Sequence, residues 1–301
     1  MDRRTFLSAL LVTPAAAAFL AACGDPDAQP GSGDTTLPPG SAAPATTFPD
    51  TTQPGGITHP TGADDVLLRY GYEGGFVTPD TLFVRTPNVL ITGAGAVITP
   101  GAVPAIFPGP LVMPFFVQTI DETGIQNVLV AAQQAGLLAT PPDYTLPDGI
   151  GIADAPDTVV ALQADGGSFE HRAYALDITA ADGNASTPAR DALSGFITKL
   201  SDLESLAGAD HLGPQESFVP TMYRVRATPV DPSQYGEPKP TVQPWPVDTG
   251  LRLADASQCV QADASKVGAL FTASNQQSFF TEDGITYSLA VAAALPGDQA
   301  C

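Results

Sequence analysis

The stretch Val66-Leu67-Leu68-Arg69-Tyr70-Gly71-Tyr72-Glu73-Gly74-Gly75 decides the fold class. Side chains alternate across an extended chain, so Val66, Leu68, Tyr70 and Tyr72 share one face of a predicted strand. Glu73-Gly74-Gly75 then turns it. Working outward, Thr81 to Arg85 reads as a second strand closed by Pro87. Val89-Leu90-Ile91 and Ala96-Val97-Ile98 flank Gly93-Ala94-Gly95 as a hairpin. Met113 to Ile120 is a further strand. Asp121 is placed to cap a helix in which Ile125, Val128, Leu129 and Ala132 recur at helical spacing and Gly136 is the stop. Thr158–Ala164 and Phe169–Leu176 flank Asp165-Gly166-Gly167, a hairpin signal. Thr187-Pro188 begins a helix with Pro at its favoured first position. Leu193, Phe196, Ile197, Leu200, Leu203 and Leu206 form one apolar stripe along it. Phe218 to Ala227 reads as a strand, and the six prolines from Pro229 to Pro246 as an irregular connector. Asp263 to Ala273 reads as a helix, and Phe279-Phe280 with Ile285–Ala292 as a closing hairpin. The sum is an α+β fold: mainly antiparallel sheet with two or three packed helices. Residues 64–301 hold this region, as one domain or as two parts, 64–145 and 150–301.

The chain has 301 residues, 12 Lys and Arg against 32 Asp and Glu, and a formal charge of −20. A phosphate backbone calls for a basic face, so nucleic acid is excluded as the main partner. Electrostatic docking on anionic lipid is disfavoured for the same reason.

The N-terminus carries a different signal. Arg3-Arg4-Thr5-Phe6-Leu7 precedes an apolar run from Ala9 to Ala22 and then Cys23. At about 14 residues the run is short of the roughly 20 that span a bilayer, and the order of basic start, apolar core and small residues is that of an export signal, residues 1–22. Arg3, Arg4, Phe6 and Leu7 resemble the twin-arginine signal. Leu20-Ala21-Ala22-Cys23 resembles the bacterial lipobox, which implies diacylglycerol on the Cys23 thiol. Pro, Gly and Thr supply 23 of the 40 positions 24–63. So polar a segment buries too little surface to offset its ordering entropy, and residues 23–63 are expected to be a disordered tether from the lipid.

With Cys23 assigned, Cys259 and Cys301 remain, an even pair in an oxidising compartment; a disulfide is expected between them. Free thiols or a metal site are the alternatives, although no CxxC is present.

No G-x-S-x-G, S-x-x-K, H-E-x-x-H or Walker pattern occurs. Gly93-Ala94-Gly95 begins like a dinucleotide loop, but Ile98 stands where the third glycine belongs. Of the three histidines, His59 falls in the tether, and His171 sits beside Glu170 and Arg172 as a half-exposed cross-strand residue. His211 follows the long helix, where it favours the negative helix end. His171, His211 and Asp210 are the one conceivable metal set. Asp154 with Asp157, and Glu282 with Asp283, read as solvated turn acids. Asn184-Ala185-Ser186 matches a glycosylation sequon. Tyr70, Tyr72, Phe76, Phe83 and Trp245 are candidates for an aromatic-lined groove for sugar or peptide.

The segments Tyr70-Gly71-Tyr72-Glu73-Gly74-Gly75-Phe76, Ala135-Gly136-Leu137-Leu138 and Leu295-Pro296-Gly297-Asp298-Gln299-Ala300-Cys301 resemble uncharacterised secreted lipoproteins of high-GC actinobacteria. That resemblance implies no activity. The expectation is a lipid-anchored protein on the outer face of the cell membrane, binding an envelope protein, peptide or glycan without catalysis, cofactor or metal. An envelope hydrolase with a scattered site, or an accessory factor of a membrane complex, is the alternative.

Overall fold

The computed structural model describes residues 55–147, 150–176, 178 and 186–301. The export-signal residues Arg3, Arg4, Phe6 and Leu7, the lipidation site Cys23 and Asn184 of the sequon lie outside the described residues.

The fold is α+β, with two mostly antiparallel sheets. The first has seven strands, β1 (Val66–Gly74), β2 (Val89–Thr92), β3 (Ala96–Pro100), β4 (Phe115–Thr119), β5 (Pro156–Ala164), β6 (Gly167–Tyr174) and β7 (Glu216–Ser217), in the order β6-β5-β1-β2-β3-β4-β7. The second contains β8 (Met222–Pro229), β9 (Thr241–Pro244), β10 (Val260–Asp263), β11 (Ser278–Glu282) and β12 (Ile285–Ala293), in the order β10-β8-β12-β11-β9. β1 pairs with β2 on one side and β5 on the other, so the break near residue 150 does not divide the first sheet.

Period 2 assigns the faces of the first sheet. Leu68, Tyr70, Ile91, Val97, Val160, Leu162 and Ala173 pack under α2 (Glu122–Gln134) and α3 (Pro188–Leu200), whose buried sides include Val128, Leu129, Leu193 and Phe196. Both helices start where the sequence indicates: Asp121 accepts from the Gly124 amide, and Thr187 accepts from the Arg190 amide with Pro188 behind it. Leu90 and Ile98 belong to the opposite core, shared with Tyr223, Val225, Val291, Phe280 and, from α5 (Ala264–Thr272), Val267 and Phe271.

Four expectations are corrected. Residues 79–83 form a short helix, α1 (Pro79–Phe83), not a strand; Thr78 caps it, Pro79 opens it and Asp80 lies in its first turn, which is a helix start in spite of the β-branched neighbours. The apolar stripe from Leu193 to Leu206 belongs to two helices, α3 and α4 (Leu203–Ala207), because Asp202 caps a new start by accepting from the Ser205 amide. The proline-rich connector contains β9, parallel to β11. Finally, residues 57–63 belong to the folded body rather than the tether. Ile57 is buried in the helix-side core and its backbone exchanges two hydrogen bonds with the Gln126 amide. Thr58 bonds Asp165 through its amide and hydroxyl, and Gly93 leaves room for the Pro60 carbonyl to cross it.

Candidate functional site

The outer face of β1 carries Arg69, Gly71 and Glu73 in alternation, beside Val159 and Ala161 of β5. Because Gly71 has no Cβ, the chain at Pro87 crosses close above it; a Cβ there would lie 3.3 Å from the Pro87 Cα. This crossing, with α1 behind it, walls a cleft of about 360 Å³ whose lining includes Arg69, Arg85, Arg224, Tyr72, Glu73 and Glu170. The volume falls at the low end of the range that takes small ligands, on the order of 300–1,000 Å³.

Three guanidinium groups therefore meet here. Arg69 pairs with Asp298 at 3.1 Å, and Arg224 reaches the other carboxylate oxygen at 3.8 Å. Arg224 also donates to the Phe83 carbonyl at 3.0 Å and lies over the Phe83 ring, 5.3 Å from its centroid. Its Nε is buried with no hydrogen-bond partner among the described residues. Arg85 donates to the Gly74 carbonyl at 2.7 Å and makes no ion pair among the described residues. β8 supplies Arg224 by the same alternation as β1: Tyr223, Val225 and Ala227 fill the core, while Arg224 and Arg226 lie on the other side, Arg226 against Asp80 of α1.

Asp298 is held in place by the C-terminal turn. Its carboxylate accepts from the Leu295 amide, and its own amide donates to the Leu295 carbonyl. Gly297 adopts φ +75°, and any Cβ there would strike Val66 of β1. The expected disulfide between Cys259 and Cys301 fastens the end of this tail, with Cα atoms 5.1 Å apart.

A second cluster adjoins the arginines. Arg172 is bonded at once by Glu73 (2.6 Å), Glu170 (3.1 Å) and Asp157 (3.2 Å). The Glu73 hydrogen bond, with support from Asp157 and Glu170, holds the Arg172 guanidinium above its ordinary value in spite of its burial.

The histidines lie elsewhere. His171 is fully buried, not half-exposed, because successive strand residues face opposite ways: Glu170 and Arg172 take the outer face and His171 the helix side. It sits between the Tyr144 hydroxyl, 2.7 Å from Nδ1, and the Leu137 carbonyl, 2.9 Å from Nε2. A carbonyl accepts only, so Nε2 carries the proton and Nδ1 accepts from Tyr144. Burial lowers the His171 pKa and raises that of Tyr144 to about 12. His211 does not serve the end of the long helix; it bonds Asp121, the α2 cap, at 2.9 Å. His59 is buried against Glu122 at 3.2 Å. No cluster of three or more His, Cys, Asp or Glu suited to a metal occurs among the described residues, and the set His171, His211, Asp210 is not brought together.

Of the acid pairs, only Asp154 and Asp283 occupy turns; Asp157 lies in β5 bonded to Arg172, and Glu282 ends β11. Asp154 takes φ +61° with its carbonyl bonded by the Phe76 amide, Glu282 accepts from the Leu253 amide, and Asp283 pairs with Arg252. The aromatic residues form no single groove. Phe76 is 86% exposed, while Trp245 is buried between Phe271 and Phe280 and donates to the Leu251 carbonyl. Of that set, Tyr72 alone lines the cleft. A larger hollow of about 540 Å³ lies between α2 and the α3–α4 turn, lined by such residues as Asn127, Val130 and Leu206, with Lys199 and Asp202 as its charged groups. It concentrates no charge of either sign.

The arginine site was missed in sequence because its members are 155 positions apart (Arg69 to Arg224) and each strand looked ordinary. Two signals were present. Arg224-Val225-Arg226 sets two cations on the same side of an otherwise apolar strand, and cations are scarce in this chain. No family model, curated protein or solved structure matches the chain.

Proposed function

We propose that this is a lipid-anchored extracytoplasmic binding protein whose cleft captures a small ligand by an anionic group. One observation carries the reading: Arg69, Arg85 and Arg224 line one cleft in a chain of net charge −20, where Asp298 pairs with Arg69 and Arg224 and Arg85 has no ion-pair partner among the described residues. Of 12 basic residues, two are Arg3 and Arg4, so three of the remaining ten line one cleft. A guanidinium presents a rigid fork of donors suited to carboxylate or phosphate, and each charge-assisted hydrogen bond is worth about 1.5–3 kcal/mol. Arg85, whose one hydrogen bond goes to the Gly74 carbonyl, keeps donors available to a ligand.

The anchor reading rests on Leu20-Ala21-Ala22-Cys23 and the Arg3-Arg4 pair. Two acyl chains give stable attachment, and the disulfide fits an oxidising compartment. Intact-mass measurement of membrane-extracted protein tests it: a chain beginning at Cys23 with a diacylglyceryl adduct is expected, and an unmodified chain beginning at Met1 contradicts it. For the cleft, calorimetric titration of the full chain with acetate and inorganic phosphate is the test. Arg85→Ala should weaken binding of the better anion roughly tenfold or more, with Arg252→Ala, far along the chain and exposed, as the silent control. Equal binding by both variants would sink the proposal.

A further inference from the structure

The cleft has a second pole. Three carboxylates, Glu73, Glu170 and Asp157, surround the one guanidinium of Arg172, just as three guanidiniums surround the one carboxylate of Asp298 and its neighbourhood. Only Arg69 and Arg224 of those three guanidiniums pair with Asp298; Arg85 lines the same cleft without touching it. The carboxylate group leaves an excess of negative charge, the arginines an excess of positive. Glu73 and Glu170 line the same cleft as Arg69, Arg85 and Arg224. Both glutamate side chains are more than half exposed, so they are accessible from it.

The sheet sets the separation of the poles. Arg69 and Glu73 are four residues apart on β1, about 13 Å between Cα atoms at roughly 3.3 Å per residue. Arg69 pairs with Ala161, and Ala161 with Glu170, so Arg69 and Glu170 stand two strands apart, about 10 Å. Between Arg69 and Glu170 the floor is low, Ala161 with Val159 beside it, while the chain at Pro87 covers Gly71 on the direct line to Glu73; one molecule reaches both poles along the Ala161 side.

Resting on the anion-binding reading, we infer that the cleft selects a zwitterion, with the acid group at Arg69, Arg85 and Arg224 and a protonated amine at Glu73 and Glu170. A peptide of two or three residues with free termini suits it. Such a chain spans about 7–11 Å, and its bulk fits a cleft of about 360 Å³. The glutamates are specificity residues in this scheme: an acid lacking the amine leaves their charge without a new partner.

Titration of the full chain with dialanine and trialanine, with their N-acetyl forms, and with acetate distinguishes the outcomes. Expected is tighter binding of at least one free peptide than of its N-acetyl form by tenfold or more. Glu73→Gln combined with Glu170→Gln should erase that difference, and Arg85→Ala should weaken free and acetylated peptides alike. Free and acetylated peptides binding equally, or acetate binding while neither peptide does, overturns the zwitterion inference and leaves the anion reading standing. Failure of acetate and every peptide to bind overturns both.

Discussion

The two faces of the seven-stranded sheet are built from the same strands and do opposite work. On β6, His171 faces the helices and is sealed between Tyr144 and Leu137, while its neighbours Glu170 and Arg172 face out and hold an exposed charge network. On β1, Leu68 and Tyr70 fill the helix-side core, while Arg69, Gly71 and Glu73 shape the cleft. One face is satisfied within itself; the other carries charge in excess at two poles. That contrast separates the residues that hold the fold from those free to meet a ligand.

The contrast breaks most visibly on the helix side. Phe196→Ala removes a fully buried ring from α3 and should cost about 3–5 kcal/mol in urea unfolding, with the cleft residues untouched. Next is the tail. Replacing Cys259 and Cys301 by Ser opens a loop with a sequence separation of 42, worth about 2–4 kcal/mol. It should also strengthen anion binding, since a loosened Asp298 would compete less for Arg69 and Arg224; a variant of wild-type affinity would detach the tail from the cleft.

Tyr144→Phe leaves the buried Nδ1 of His171 without a donor, an expected loss of about 1–3 kcal/mol by the same unfolding assay. The pH profile follows from the two shifts. His171 is held below its ordinary 6.5 by burial, so the unfolded chain takes up that proton first. Stability is full above about pH 6.5 and falls as the pH drops. Tyr144 is raised from 10 to about 12, so the unfolded chain loses its proton first and stability falls again as pH rises above about 10. Asp121 steepens the acid side. Burial pushes its pKa up, but hydrogen bonds from the Gly124 amide and His211 outweigh that and hold it lower overall. His171→Gln should flatten the profile below about pH 6.5. The smallest effect is expected outside: Arg172→Gln disturbs exposed pairs and should change stability by less than about 1 kcal/mol, while altering ligand selectivity.

Much of the fold was legible where one local rule governs. Asp121, Thr187 and Asp263 each cap a helix as their spacing to the apolar positions indicates, and both hairpins at Gly95 and Gly166 turn where glycine occurs. The strand-like Thr81-Leu82-Phe83-Val84 misled because its helix start lies just upstream, in Thr78-Pro79-Asp80. His171 misled because it was read by its sequence neighbours rather than by the period-2 rule that sends it to the other face. The cleft was out of reach for another reason: Arg69, Arg85, Arg224 and Asp298 come from β1, the chain after α1, β8 and the C-terminal turn, and only the pairing of strands brings them together. Two of the quoted sequence patterns, Tyr70–Phe76 and Leu295–Cys301, nevertheless converge there, through Gly71 and Glu73 on one side and Asp298 on the other.

The most direct measurement follows the arginine Nε–H signals of the full chain by ¹⁵N NMR during titration with acetate and then inorganic phosphate. Arg69, Arg85 and Arg224 should shift together and saturate with one affinity, while Arg190, buried under carbonyls of β6 and Tyr144, and the exposed Arg252 stay fixed. Signals of the cleft arginines that remain in place at saturating anion, or that move no more than Arg252, would contradict the site.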